Sequence, residues 1–86
     1  MNSREIVNLI EYEIEKVIKQ GYNRLYVNVD DLENGDGFLR VLAMQGPKDI
    51  IVFEGIFTLD ICCQVLDLLS ISKYDIIDFT TGKVIK

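Results

Sequence analysis

Four carboxylates stand close together in the first half of this sequence and form its densest group of acidic residues. They are Asp30, Asp31, Glu33 and Asp36. A calcium-binding loop of the EF-hand type has oxygen ligands at its positions 1, 3 and 5 and a glycine at position 6. With Gly35 as that glycine, Leu32 occupies position 3. The EF-hand pattern therefore fails, and the sequence predicts a solvated acidic turn, with irregular cation binding as the alternative.

Carboxylates can also perform acid–base chemistry where a pocket raises the pKa of one of them. Asp30, Asp31 and Glu54 each follow an apolar or alternating run that is typical of a strand. If those strands are parallel neighbours, the three side chains meet at the sheet edge where open α/β sheets bind ligands. An enzyme or a small-ligand sensor that uses these strand-end carboxylates is therefore one alternative for the function.

Nucleophilic chemistry has little support, because the sequence contains no histidine. This removes Ser–His and Cys–His pairs and the commonest metal ligand. Cys62 and Cys63 are adjacent, so their Cβ atoms point apart and no disulfide is expected. A helix start would favour a thiolate at Cys62. Free cysteines are nevertheless among the most buried residues, so we predict that both pack as small apolar side chains.

The segment Thr80-Thr81-Gly82-Lys83 resembles the end of a phosphate-binding loop. Such a loop also needs an earlier glycine and a following helix, and the sequence has neither, so a turn is predicted here. Together these patterns predict no catalytic residue, no cofactor and no metal.

The charge balance restricts the class of partner. The 86 residues include 9 Lys and Arg against 14 Asp and Glu, a net charge of −5. Nucleic acids and anionic membranes require clustered basic side chains, and the basic residues here are dispersed. We therefore predict neither partner. The most apolar stretch, residues 50–71, is interrupted by Glu54, Asp60 and Asp67, and residues 1–5 lack a signal-peptide pattern. A cytoplasmic location is the expectation.

The elements that must hold the carboxylates begin with a helix. From Ser3 onward apolar residues recur at helical spacing, and Gly21 ends the pattern. Arg24 to Asp30 alternates between apolar and polar residues, as a half-buried strand does. The segment 31–37 follows as a loop, because Asn-Gly and Asp-Gly favour positive φ.

Phe38–Gln45 is ambiguous. Leu, Ala, Met and Gln favour a helix, which is the preferred prediction, while the preceding Asn-Gly is the usual signal of a β-hairpin. Ile50 to Phe53 is a continuous apolar run, typical of a strand buried on both faces. A helix follows from Thr58, then a strand over Tyr74 to Phe79 and a short final strand at Val84-Ile85.

These elements predict one domain, 1–86, of small helix-on-sheet type. Its parts are an N-terminal helix, a right-handed β-α-β crossover unit and a C-terminal β-hairpin. The fold class is α/β, or α+β if residues 38–45 form a strand.

The leading hypothesis for the function is a small acidic protein-binding module. Inhibitors and immunity-type proteins, whether toxin-neutralising or phage-encoded against host defence, act in this way by surface recognition. Its expected partner is a protein with a basic surface. The candidate partner-binding residues are Asp30, Asp31, Glu33, Asp36, Glu11 and Glu15. The remaining alternative is a structural homodimer that closes a sheet edge at Val84-Ile85.

Overall fold

A computed structural model of the chain describes residues 1–71, Tyr74 and the main chain of residues 76–81. Two helices and a three-stranded antiparallel sheet form the body of an α+β domain, and a fourth strand runs beside the sheet. The elements are α1 (Ser3–Lys19), β1 (Arg24–Asp31), β2 (Asp36–Gln45), β3 (Lys48–Thr58), α2 (Leu59–Ser70) and β4 (Ile76–Thr81).

Helix α1 begins with a capping box. The Asn2 side chain accepts a hydrogen bond from the Glu5 amide at 2.9 Å, and the Glu5 carboxylate accepts one from the Asn2 amide at 2.9 Å. The two bonds satisfy main-chain donors that a helix start leaves unpaired. After the helix, Gly21 adopts φ +100°, a left-handed conformation that turns the chain toward β1.

The segment Phe38–Gln45 is a strand, so the preferred prediction of a short helix was wrong. It lies in β2, which pairs antiparallel with β1 on one side and with β3 on the other. Its side chains alternate between buried and half-buried positions, with the two-residue period of a sheet. Pairing on both sides and the preceding Asn34-Gly35 turn outweigh the helix propensity of the individual residues. The fold class is therefore α+β rather than α/β.

A two-residue turn, Gly46-Pro47, connects β2 to β3, whose ends pair at Gln45 and Lys48. Gly46 has φ +60°, and the proline ring fixes a negative φ at the next position. This is the sign pattern of a type II′ turn, whose twist matches the two strands. Gly46 and Pro47 thus form the turn of the β2–β3 hairpin.

Strand β3 lies at the edge of the sheet and has no fully buried residue. The prediction of a strand buried on both faces was therefore also wrong. The sheet order is β3-β2-β1-β4. A register shift opposite Val41 and Leu42 places an irregularity near Val52, and Ile51 is 52% exposed. A continuous apolar run therefore reflects an edge with one bulge, where apolar side chains go to both faces and only one face is covered.

The main chain of β4 pairs with β1 in the parallel sense. Because β3 is antiparallel to β2 and β2 is antiparallel to β1, β3 and β4 run in the same direction. Helix α2 connects them across the two strands that lie between. The right-handed sense of this connection stays a prediction, and the predicted strand Val84-Ile85 lies outside the described residues.

The core lies between the helices and one face of the sheet. Its fully or almost fully buried members from the strands are Leu25, Val27, Val29, Leu39, Val41 and Ala43, and those from the helices are Ile6, Val7, Ile10, Ile14, Val17, Cys62, Val65 and Leu69. The strand residues between them point to the opposite face. That face is not covered by any element of the described residues.

Candidate functional site

The four predicted carboxylates Asp30, Asp31, Glu33 and Asp36 all lie where β1 turns into β2, and we call them the acidic hairpin end. The turn between the strands is ordered by its own side chains. Asp31 Oδ1 accepts a hydrogen bond from the Glu33 amide at 2.7 Å, and Asn34 Oδ1 accepts one from the Asp36 amide at 3.0 Å. The Asn34 oxygen, at position 5 of the calcium pattern, therefore already accepts a hydrogen bond from a main-chain amide.

The acidic hairpin end is also fixed to helix α2. The Leu59 amide, in the first turn of α2, donates a hydrogen bond to the Gly35 carbonyl at 3.0 Å. Gly37 packs so closely that an added Cβ would lie 3.0 Å from Leu59 Cδ2 and 3.1 Å from Cys62 Sγ. The helix start and the hairpin thus form one packed unit, and the charges have a defined position relative to the core.

Glu33 has an unusual main-chain conformation. Its φ is +67°, the only positive φ of a non-glycine residue in the part of the chain that the structure describes. The left-handed region is disfavoured for residues with a Cβ by roughly 1 kcal/mol or more. Glycine or asparagine adopts it at lower cost. A glutamate at this position places a carboxylate at the tip of the turn.

Glu11 and Glu15 lie elsewhere, on the middle turns of α1. Glu11 is half-buried and Glu15 is exposed. Among the described elements α1 contacts α2, β2 and β3 but not β1. The six predicted partner-binding residues are thus divided between the acidic hairpin end and one helix.

The strand-end carboxylates do not converge as an enzyme or sensor would need. Strand β2 separates β1 from β3, so Asp30 and Glu54 lie on strands that are not neighbours. Glu54 is also four residues before the end of β3 and pairs with Arg40, at 3.6 Å between Oε1 and Nε. The expectation that Asp30 and Glu54 lie on neighbouring parallel strands was wrong, because β1 and β3 run in the same direction but β2 lies between them.

The two cysteines have different surroundings. Cys62 is 0% exposed in α2, its Sγ lies 3.9 Å from the Phe57 carbonyl oxygen, and Cys63 is exposed. Burial raises the pKa of the Cys62 thiol, and the nearby Cys63 and Asp36 raise it further. The raised pKa favours the neutral thiol at Cys62 over a reactive thiolate, despite the nearby helix start. Cys63, however, does not pack in the core.

Metal binding has no geometric support in the described residues, where no three Cys, Asp or Glu side chains are grouped to hold an ion. Neither described helix is long and apolar enough to cross a membrane.

The sequence analysis missed the uncovered surface of the sheet, which we call the open face. Its apolar members are Phe38, Leu42, Met44, Ile51 and Ile56, and its charged members are Arg24, Asp30, Arg40, Asp49 and Glu54. Part of it is a depression of about 500 Å³ lined by Arg40, Leu42, Asp49, Ile50 and Ile51. The sequence contained one signal of this surface. Apolar residues occupy both odd and even positions of 38–44, which indicates a strand with apolar side chains on both faces.

Arg40 lies at the centre of the open face. Its guanidinium stands 4.8 Å from the centre of the Phe38 ring, within the range of a cation–π contact. Its Nε atom is buried and has no hydrogen-bond acceptor in the described structure, since Glu54 Oε1 is too distant at 3.6 Å. The ring and the carboxylate hold this cation in the plane of the sheet surface.

Comparison of the chain with models of known protein families, with curated proteins and with solved structures found no match.

Proposed function

We propose that this chain is a small protein-binding module that recognises a basic surface on its partner through the acidic hairpin end. It would act as an inhibitor or an immunity-type protein, by occupying a surface of its target rather than by chemistry. A cytoplasmic setting fits this proposal, because the exposed thiol of Cys63 stays reduced there.

The conformation of Glu33 is the observation that carries the proposal. A turn selected for stability alone would have glycine or asparagine at a φ of +67°. The chain instead has a residue that is disfavoured there by roughly 1 kcal/mol and that projects a charge from the tip. Strained residues of this kind are concentrated at binding and catalytic sites.

The order of the turn supports the same conclusion. Its side-chain hydrogen bonds and the bond from Leu59 to Gly35 fix the carboxylates before any partner arrives. A surface that is already ordered loses less conformational entropy on binding. No Lys or Arg occurs between Arg24 and Arg40, so this segment of the sequence carries negative charge alone. Such a patch steers encounters with a positively charged surface.

Neutral variants test the proposal better than charge reversal, because Asp31 also orders the turn. Asp31→Asn, Glu33→Gln and Asp36→Asn together remove the charge and keep the Oδ1 acceptor at position 31. Asp30 remains unchanged, since it belongs to the open face as well. The single variants Glu33→Gln and Asp67→Asn form a matched pair, because each removes one carboxylate and Asp67 is exposed on α2.

The assay is affinity capture from lysate of the native cell, followed by titration of the purified captured protein. We expect the triple variant to lose about tenfold or more in affinity, and the affinity of the unaltered chain to fall as salt rises. Glu33→Gln should weaken binding and Asp67→Asn should not. Equal affinities for the triple variant and the unaltered chain, with folding verified by circular dichroism, would exclude this surface.

A separate double variant, Glu11→Gln with Glu15→Gln, decides whether α1 takes part. Loss of affinity in this variant alone would move the site from the acidic hairpin end to the helix. Loss in both would mean that the partner contacts both elements.

A further inference from the structure

The open face leaves apolar side chains in contact with solvent. Ile51 is 52% exposed and Ile56 is 60% exposed, and both lie on the same face as the half-buried Phe38, Leu42 and Met44. The helices cover the other face of the sheet, so no element of the described residues shields this one. The Arg40–Glu54 pair lies between Phe38 and Ile56 on one side and Leu42, Met44 and Ile51 on the other. Exposed apolar patches next to polar side chains are typical of contact sites.

The charges on this face are arranged along β1 with opposite signs at its ends. Leu25, Val27 and Val29 are buried toward the helices, so Arg24 and Asp30 point to the open face. Arg24 Cζ lies 6.0 Å from the centre of the Tyr26 ring, which also places it on this face. The two charges are six residues apart, about 20 Å along the strand. A partner surface of one sign would be attracted at one end and repelled at the other.

A second copy of the same chain satisfies both ends. In a twofold contact, each residue i that meets j is matched by j meeting i. An axis in the plane of the face and perpendicular to the strands, at the level of the Val27–Val41 pair, reverses the strands of the second copy. It places Arg24 over Asp30 of the second copy twice, and Phe38 over Met44 of the second copy twice. An axis along β2 would instead stack Arg40 on Arg40 of the second copy.

We propose that the open face is the contact surface of a homodimer, with Arg24 of each copy paired to Asp30 of the other and the sheets packed face to face. The helices then form the two outer layers. This goes beyond the proposed function, because the tip of the acidic hairpin end remains outside the contact.

The size of the face predicts a weak dimer. Three strands about 4.8 Å apart and roughly 27 Å long, side chains included, offer roughly 400 Å² per copy, and β4 adds a fourth strand. Stable interfaces bury about 800 Å² per partner, whereas small transient ones bury less than about 600 Å². The dimer should therefore form in the upper micromolar range rather than the nanomolar range.

Mixing two charge variants tests this arrangement without any partner. Arg24→Asp and Asp30→Arg each place like charges at both pairing points, so each variant alone should dimerise at least about tenfold more weakly. A mixture of the two restores both pairs in a heterodimer. Both variants keep a net negative charge, so general attraction between them does not explain its formation. The matched control is a mixture of Arg4→Asp with Asp30→Arg. Arg4→Asp changes the net charge by the same amount as Arg24→Asp, and Arg4 is exposed on α1.

Sedimentation velocity from about 10 μM to about 1 mM, with one variant labelled, measures each species. We expect concentration-dependent dimers of the unaltered chain, weaker dimers of each single variant and recovery in the mixture. A chain that stays monomeric to about 1 mM overturns the proposal. The proposal is also overturned if the mixture of Arg24→Asp and Asp30→Arg dimerises no more strongly than the Arg4 control mixture. The same holds if Arg24→Asp dimerises with Asp49→Arg instead of with Asp30→Arg. Circular dichroism of each variant establishes that the fold is intact.

Discussion

Replacement of Gly37 by alanine measures how closely the acidic hairpin end packs on α2. An added Cβ would lie 3.0 Å from Leu59 Cδ2, 3.1 Å from Cys62 Sγ and 3.2 Å from Val29 Cγ1. Carbon atoms normally approach to about 3.5–4.0 Å, so each neighbour would have to retreat by roughly 0.5 Å. Cys62 is 0% exposed and Val29 is 4% exposed, so both have other core atoms behind them.

The expected loss follows from two opposing effects. Overpacking a core lowers the free energy of unfolding by about 1–3 kcal/mol. Loss of glycine restricts the unfolded chain and raises it by about 0.4–1 kcal/mol. We therefore expect Gly37→Ala to lower the free energy of unfolding by about 1–2 kcal/mol, measured by urea denaturation followed by circular dichroism.

A double-mutant cycle with Cys62→Ala identifies the cause. Cys62→Ala alone should lower the free energy of unfolding by about 1 kcal/mol, because it empties a buried site. With both substitutions, the new methyl group occupies the space of the lost sulfur, so the combined loss should be smaller than the sum by about 1 kcal/mol.

Gly55 provides the control. An added Cβ there would lie 2.9 Å from Cε2 of the Phe57 ring, but this ring is half-buried at the sheet edge and can turn aside. Gly55→Ala should therefore cost less than Gly37→Ala. The reasoning fails if the Gly37 and Cys62 losses add to within about 0.5 kcal/mol, or if Gly37→Ala is as stable as the unaltered chain.

Four further measurements test the local geometry. Asn2→Ala removes the cap of α1 and should lower the free energy of unfolding by about 1 kcal/mol; an unchanged denaturation midpoint would contradict the capping box. Glu33→Asn relieves the left-handed conformation and should raise that free energy by about 0.5 kcal/mol, and a loss would refute the strain. Ellman's reagent should label Cys63 in the folded protein and Cys62 only in denaturant. Burial raises the pKa of the Cys62 thiol, so above about pH 8.5 the unfolded chain releases this proton first and stability falls. Urea titrations at rising pH should show that decline, and Cys62→Ala should reduce it.

Local periodicity in the sequence was sufficient for the elements that bury one clear face. The stripe of Ile6, Ile10 and Ile14 indicates a helix because the same side of every turn is apolar. The alternation of Leu25, Val27 and Val29 indicates a strand for the corresponding reason. Phe38–Gln45 has apolar residues on both faces, so neither period stands out, and only its hydrogen-bonded neighbours decide between helix and strand.

The candidate site divides in the same way. The acidic hairpin end could be predicted, because charge density and the Asn34-Gly35 turn are properties of one short segment. The separation of Asp30 from Glu54 could not, because it depends on which strands become neighbours. The open face required the strand order as well, since its charges come from three strands.

The hydrogen bond from Leu59 to Gly35 also has a consequence for hydrogen exchange. The first amides of a helix normally exchange with water quickly, because no carbonyl of their own helix pairs with them. Here one of them is protected only while the turn keeps its place. Exchange at the single amide of Leu59 therefore reports local opening of the hairpin tip separately from global unfolding. A ligand held by that tip would slow exchange at this amide, which makes it an intrinsic probe of occupancy.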